Sequence, residues 1–447
     1  MSNIRESFIP FRRTDIINLC LEDGKLQGKD VQLFQEFCDI LTAFFHFRFH
    51  HTLESIKDNY TIFNPNSDVK TLQEPSLEEY EEMENEVIKG FKYILERANY
   101  IQLSDDIVQK SLEAKSLINL QTDVNFDDFD EFYCYYRGDI DEHITVKKFK
   151  FFKRERIIDI LERVVLLIKF KGPGYFQAKA KKDKQYKTLN FIPGKMYLYF
   201  YKNIPKLDLD LLFPNIQTSM TWKDKLLFGV PAIGAAIPLL LRAVPNILLV
   251  IVAIFILLKA DSVVQSIEVD KEKVRDLMPI LVATLSLTMT LGGFAVKQYT
   301  KYKSKEIKFQ KEVSDTLFFK NLANNASVFQ ALVDIAEEEE CKEIILVYYH
   351  ILTSQEKLNT EKLDRKIEQW MTEKLGIEMD FDIHGPLNNL EKLRGKIVYE
   401  DNNEDEIKEV PLLSYDQQGN INILPLEDSK MILDYVWDNA FQYNGCY

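Results

Sequence analysis

The sequence lacks the short motifs that mark the commonest enzymes. It has no GxxxxGK(S/T) or GxGxxG pattern to cradle phosphate, and its 16 glycines rarely cluster. It has no GxSxG nucleophile elbow and no HExxH helix either. With no nucleophile, base or cofactor to name, the chain reads as a non-enzyme that holds no cofactor. Cysteine is sparse: Cys20, Cys38, Cys134, Cys341 and Cys446 are odd in number, scattered and without a CxxC pair. That excludes a disulfide framework and a zinc ribbon, and suits a reducing compartment. The first ten residues hold no apolar core ahead of a small-residue cleavage site, so neither a secretory signal nor a transit peptide is expected.

What is present is length, charge segregation and two apolar runs. A chain of 447 residues suggests about three units. The net charge of −14 is unevenly spread. From Glu312 to Tyr447 there are 12 basic and 28 acidic residues, whereas Lys147–Lys187 carries 14 basic against 4 acidic and Lys297–Lys311 six against one. Leu277–Val296 is free of charge and meets the ~20 apolar residues that a helix needs to cross a bilayer. Leu226–Leu258 is longer, contains Arg242 and is punctuated by Pro231, Pro238 and Pro245. As a straight helix it would reach ~50 Å at ~1.5 Å per residue, so it is expected to be tilted, broken or partly interfacial.

These runs predict a two-helix transmembrane hairpin over 223–300, spanning at 226–258 and 277–296. Arg242 either snorkels to the headgroups or lines a pore. The lysines at Lys223, Lys225 and Lys297–Lys311, against a balanced connecting loop, place both termini in the cytoplasm. That makes a multi-pass protein of a bacterial inner membrane. Lys297, Lys301, Lys303 and Lys305 are the expected lipid contacts, and the lipid bilayer the expected partner.

The predicted fold class is an α+β membrane protein. Its parts are a helical N-terminal region (1–118), a small antiparallel β region with a basic loop (119–222), the hairpin, and an acidic, mainly helical C-terminal domain (301–447). Apolar spacing predicts helices over Asp15–Leu21 and from Asp30 to about Lys57, and Ser76 with Glu79 forms a capping box for a third reaching about Arg97. A period of two predicts strands at Phe129–Tyr136, Ile144–Phe152, Ile160–Phe170 and Met196–Tyr201, with turns at Arg137-Gly138 and Gly172-Pro173-Gly174. After the hairpin, helices over Glu312–Thr353, Thr360–Lys374 and about Asp382–Arg394 precede strands at Lys396–Glu400 and Asn420–Leu424, the order of a winged helix. The acidic run Glu337–Glu340 reads as a solvated turn. Excess acid opposes phosphate, so no nucleic acid is expected; a protein partner or homo-oligomer through the C-terminal domain is.

One metal-like spacing exists: His46, His50 and Glu54 fall at i, i+4 and i+8 on one helix face, but the plainer reading is that they cap a core face beside Phe45, Phe47 and Phe49, and no metal is expected. Arg12-Arg13 and Arg137 suit either an anionic ligand or a tie from a loop to a helix C-terminus.

Four stretches resemble one uncharacterised family, which includes animal transmembrane protein 143 and homologous bacterial and plant-chloroplast proteins. They are Phe8–Asp15 (FIPFRRTD), Phe126–Phe132 with Tyr136-Arg137-Gly138, Asn203–Pro214 (NIPKLDLDLLFP), and Asp224-Lys225. The resemblance implies a two-pass membrane protein without an established activity. The expected function is a membrane-tethered interaction or regulatory protein, the alternative an oligomeric pore in which Arg242 lines the path.

Overall fold

A computed structural model describes residues 7–104, 121–149, 152–219, 320–401 and 404–443, with single helical positions between 279 and 319. The chain forms two compact units. The first is assembled from Met1–Val108, Phe126–Lys206 and Lys320–Tyr447, the second from Gln109–Asn125 and Leu207–Phe319.

The first unit opens with three helices, α1 (Arg13–Glu22), α2 (Lys29–Tyr60) and α3 (Leu77–Arg97). Helix α2 buries Phe34, Phe37, Leu41, Phe45, Phe49, Leu53 and Ile56 at three- and four-residue spacing, which sets its inward stripe. Helix α3 starts where Ser76 and Glu79 cap each other's backbone N–H groups. Against the helices lies a five-stranded antiparallel sheet. Its strands are β1 (Ile101–Gln102), β3 (Phe129–Phe149), β4 (Phe152–Phe170), β5 (Met196–Pro205) and β7 (Asn321–Asn324), in that order across the sheet.

Between β4 and β5 comes helix α4 (Pro173–Lys182), so Gly172-Pro173-Gly174 starts a helix where a turn was expected. Gly138 is no turn either. It sits inside β3 at φ +76°, and the strand runs through it.

Helix α5 (Ala326–Leu352) is the spine of the unit, and α1, α2, α3, α6 (Thr360–Leu375) and α7 (His384–Lys392) all pack on it. Asn325, at φ +50°, joins it to the sheet: its Oδ1 accepts from Leu198 N–H and lies 3.4 Å from the Tyr60 hydroxyl.

Next come two separate hairpins, β8 (Arg394–Asp401) with β9 (Glu404–Pro411) and β10 (Leu413–Tyr415) with β11 (Ile421–Ile423), and then α8 (Leu426–Asp438) and α9 (Ala440–Tyr443). The single two-stranded wing of a winged helix is therefore corrected. Strand β9 lies between the two strands that the sequence predicts and gives no sign of itself there, because EDEIKEVP has no apolar alternation. The residues of α1–α3, the sheet and α5–α8 share one hydrophobic core.

In the second unit β2 (Gln121–Asp123) pairs antiparallel with β6 (Gln217–Ser219), and Leu209, Leu211, Leu212 and Phe213 are buried. Among the described residues no helix is long and apolar enough to cross a membrane. This corrects the two-pass transmembrane hairpin, the membrane fold class and the multi-pass inner-membrane location with cytoplasmic termini. Leu226–Leu258, with Arg242, lies outside the described residues. Of Leu277–Val296 the described positions include Pro279, Ser286, Gly292 and Gly293 as well as apolar Val282, Leu285, Met289 and Val296. The physical reason for the correction is that hydropathy measures only the gain on leaving water. It does not specify a spanning helix.

Candidate functional site

The stretch Glu337–Glu343 holds five glutamates and a lysine and lies mid-helix in α5, not in a solvated turn. Glu339 is 1% exposed and Lys342 2%; Glu340 and Glu343 are buried with them. Burying such groups is costly unless each finds a partner. The partners come from the N-terminal segment. Ile9 N–H donates to Glu339 Oε2 at 3.1 Å and Arg13 N–H to Glu338 Oε1 at 2.7 Å. Lys342 Nζ donates to Ile9 O at 2.6 Å, to Phe11 O at 3.1 Å and to Glu339 Oε1 at 2.6 Å. Residues 7–13 are thus strapped across α5.

Phe8 lies between two cations, 3.7 Å from the Arg137 guanidinium and 5.3 Å from Lys342 Nζ. Arg137 also donates to Ala98 O, so it ties the sheet to the C-terminal end of α3. Asn99 Nδ2 reaches Ser7 O and Glu343 Oε1. Asn389 Nδ2 donates to Glu340 Oε1, and Arg97 Nε stands 3.6 Å from its other oxygen. Burial pushes the carboxyl of Glu343 well above the usual glutamate range, and those of Glu339 and Glu340 up as well, although Lys342 and Arg97 respectively oppose the shift. Outside Arg97 the surface opens into a polar cleft of about 540 Å³, bordered by Asp382, His384, Glu391 and Tyr415.

Of the residues singled out by sequence, Arg13 and Arg137 belong to this strap and His46 reaches the same glutamate run. His46 Nδ1 lies 2.9 Å from Glu337 Oε2, the His46 and His50 rings stack at 6.3 Å, and Glu54 engages Lys57. Among the described residues no group of three His, Cys, Asp or Glu is gathered to hold a metal ion. Arg12 pairs with Asp15 at the surface. Lys297, Lys301 and Lys303 are helical and exposed, while Lys305 lies outside the described residues. Cys20, Cys38, Cys134 and Cys341 are buried free thiols, and burial pushes Cys134 and Cys341 up to about 12, which leaves them unreactive.

A second feature escaped the sequence reading. Helix α8 turns Ile432, Leu433 and Val436 inward and is held on α2 by Lys430–Glu36 and Lys29–Glu427 ion pairs. Its outer side carries Trp437, 42% exposed, and α9 adds Phe441, 86% exposed. Both meet the half-buried Phe47 of α2 edge-to-face, at 6.2 and 5.3 Å. Asp434 and Asp438 are exposed on the same helix. The available signal was Trp437, which falls off the inward stripe of α8, with Phe441 just beyond the helix end.

Fold and site define an α+β protein with a strapped, ion-paired spine and an open aromatic face. Residues 161–327 match a family model described as "Protein of unknown function (DUF3754)". No solved structure matches the chain.

Proposed function

We propose that the chain is an interaction or regulatory protein without catalytic activity, which binds protein, in the first place a second copy of itself, through the face formed by Phe47, Trp437 and Phe441. The observation that carries this reading is the 86% exposure of Phe441 beside a half-exposed tryptophan. Aromatic side chains are costly to leave in water and are enriched at the centres of protein interfaces. Sedimentation velocity of the full chain over a concentration series tests it. The expected result is self-association that weakens in Phe441→Ser and Trp437→Ala. An aromatic-face variant that associates as the unaltered chain does overturns the reading. We also propose kinship with the uncharacterised family that includes animal transmembrane protein 143, since the Asn203–Pro214 stretch lies inside the matched residues.

A further inference from the structure

The polar cleft of about 540 Å³ lies wholly within the first unit. The C-terminal end of α3 gives it Glu96 and Arg97, and the start of α7 gives it His384 and Gly385. Its size is that of a small-molecule site, and one of its charged groups is fixed from behind. Glu340 of α5 is 2% exposed, and its Oε1 accepts from Asn389 Nδ2. Its Oε2 is buried without a hydrogen bond, with Arg97 Nε 3.6 Å away. The buried carboxylate thus holds the Nε edge of Arg97. Among the described residues the guanidinium donates no hydrogen bond, although it carries five N–H groups in a fork that matches a carboxylate.

Asp382 borders the same cleft. Its Oδ1 accepts from His384 N–H at 3.2 Å and Gly385 N–H at 3.4 Å in the first turn of α7, and among the described residues its Oδ2 has no donor. The two charged groups meet over Gly385. A Cβ there would lie 3.0 Å from Asp382 Oδ2 and 3.1 Å from Arg97 Nη1. These atoms therefore flank one short gap, which a glycine leaves open, and they stop short of an ion pair with each other.

Charge selects the occupant of that gap. Glu96, Asp382 and Glu391 oppose a phosphate or a nucleotide, while Arg97 opposes a bare cation or amine. A ligand that carries both signs close together suits both sides. We propose that this cleft binds a free α-amino acid, its carboxylate on Arg97 and its ammonium on Asp382, above Gly385. The carboxylate takes the unused donors of Arg97, and the ammonium gives Asp382 Oδ2 a charged donor. Both charges sit on one carbon of such a ligand, as the shortness of the gap requires. Buried Leu387 and half-exposed Tyr415 offer apolar surface to its side chain. The site shares no residue with the face formed by Phe47, Trp437 and Phe441, so it stands or falls apart from the self-association proposed above.

Isothermal titration of the full chain with each of the common protein amino acids, one at a time at physiological salt, tests this. At least one is expected to bind with a Kd below about 1 mM. Its deaminated acid and its decarboxylated amine, each lacking one charge, should bind about tenfold or more weakly. Three variants should weaken binding to the same degree while thermal melts show them folded. Asp382→Asn keeps an Oδ1 acceptor for α7, Arg97→Lys keeps a positive charge beside Glu340 but loses the fork, and Gly385→Ala sets a methyl group in the gap while favouring the helix. Failure of every amino acid to bind overturns the proposal, as does an amino acid that binds Gly385→Ala as well as it binds the unaltered chain. Binding of the deaminated acid or of inorganic phosphate as tight as that of the amino acid makes the cleft a plain anion site and overturns it too.

Discussion

Lys342 and Glu339, one turn apart on α5 and both buried, meet at 2.6 Å, and the same lysine holds the carbonyls of Ile9 and Phe11. One ammonium therefore satisfies a buried carboxylate and closes the strap of residues 7–13 over the spine. Removing either partner leaves the other as an uncompensated charge, whereas removing both does not.

Lys342→Met is expected to lower stability by ~3–5 kcal/mol in urea unfolding, and Lys342→Met with Glu339→Leu to recover most of that loss. Trypsin cleavage after Arg12 or Arg13 should accelerate in the single variant, since Ile9 and Phe11 lose their tie. A single variant as stable as the unaltered chain would mean that the pair holds nothing.

Glu343 sets a second expectation, with a sign. Its folded pKa lies above the ordinary 4.5, so its contribution is fully present below about pH 4.5 and is lost as pH rises above that. Glu343→Gln keeps an acceptor for Asn99 and stays neutral. Its melting temperature should exceed that of the unaltered protein at pH 8 and match it near pH 4.5.

His350 works in the opposite sense. It packs edge-on to Trp370 at 5.3 Å, and burial depresses its imidazole from 6.5 to about 3. The neutral ring contributes stability above pH 6.5 that drains away as pH falls toward 3, at up to about 1.4 kcal/mol per pH unit. His350→Leu should flatten the acid limb of the stability curve between those values; an unchanged limb would show that the ring does not titrate on unfolding.

Gly138→Ala is expected to destabilise by about 2 kcal/mol, because a Cβ at φ +76° is strained and would overlap the Glu162 side chain. Denaturant midpoints read this directly. Phe441→Ser, by contrast, should stay within about 0.5 kcal/mol, since an exposed ring contributes little to the folded state.

Local chemistry was legible in the sequence where partners are near. The Ser76–Glu79 box and the Phe34–Phe37–Leu41 stripe specify α3 and α2 without help from the rest of the chain. Gly138 misled because a glycine inside an alternating run suits a turn and a left-handed residue within a strand equally well. The glutamates of α5 were illegible for a different reason. Glu339 is satisfied by Ile9, 330 residues away, and no window along the chain contains both. The aromatic face was missed because exposure is decided by what fails to pack, which spacing alone does not report.

Strand β7 completes the sheet by pairing Asn321 with Tyr201, across roughly 120 residues of intervening chain. On a ribosome adding ~5–20 residues per second, β5 then waits about ten seconds with one edge open before its neighbour is made. Helix α5, which follows β7 directly, arrives later still. The N-terminal helices must pass that interval without their spine, so the first unit closes its core only once the chain has been made as far as Leu352.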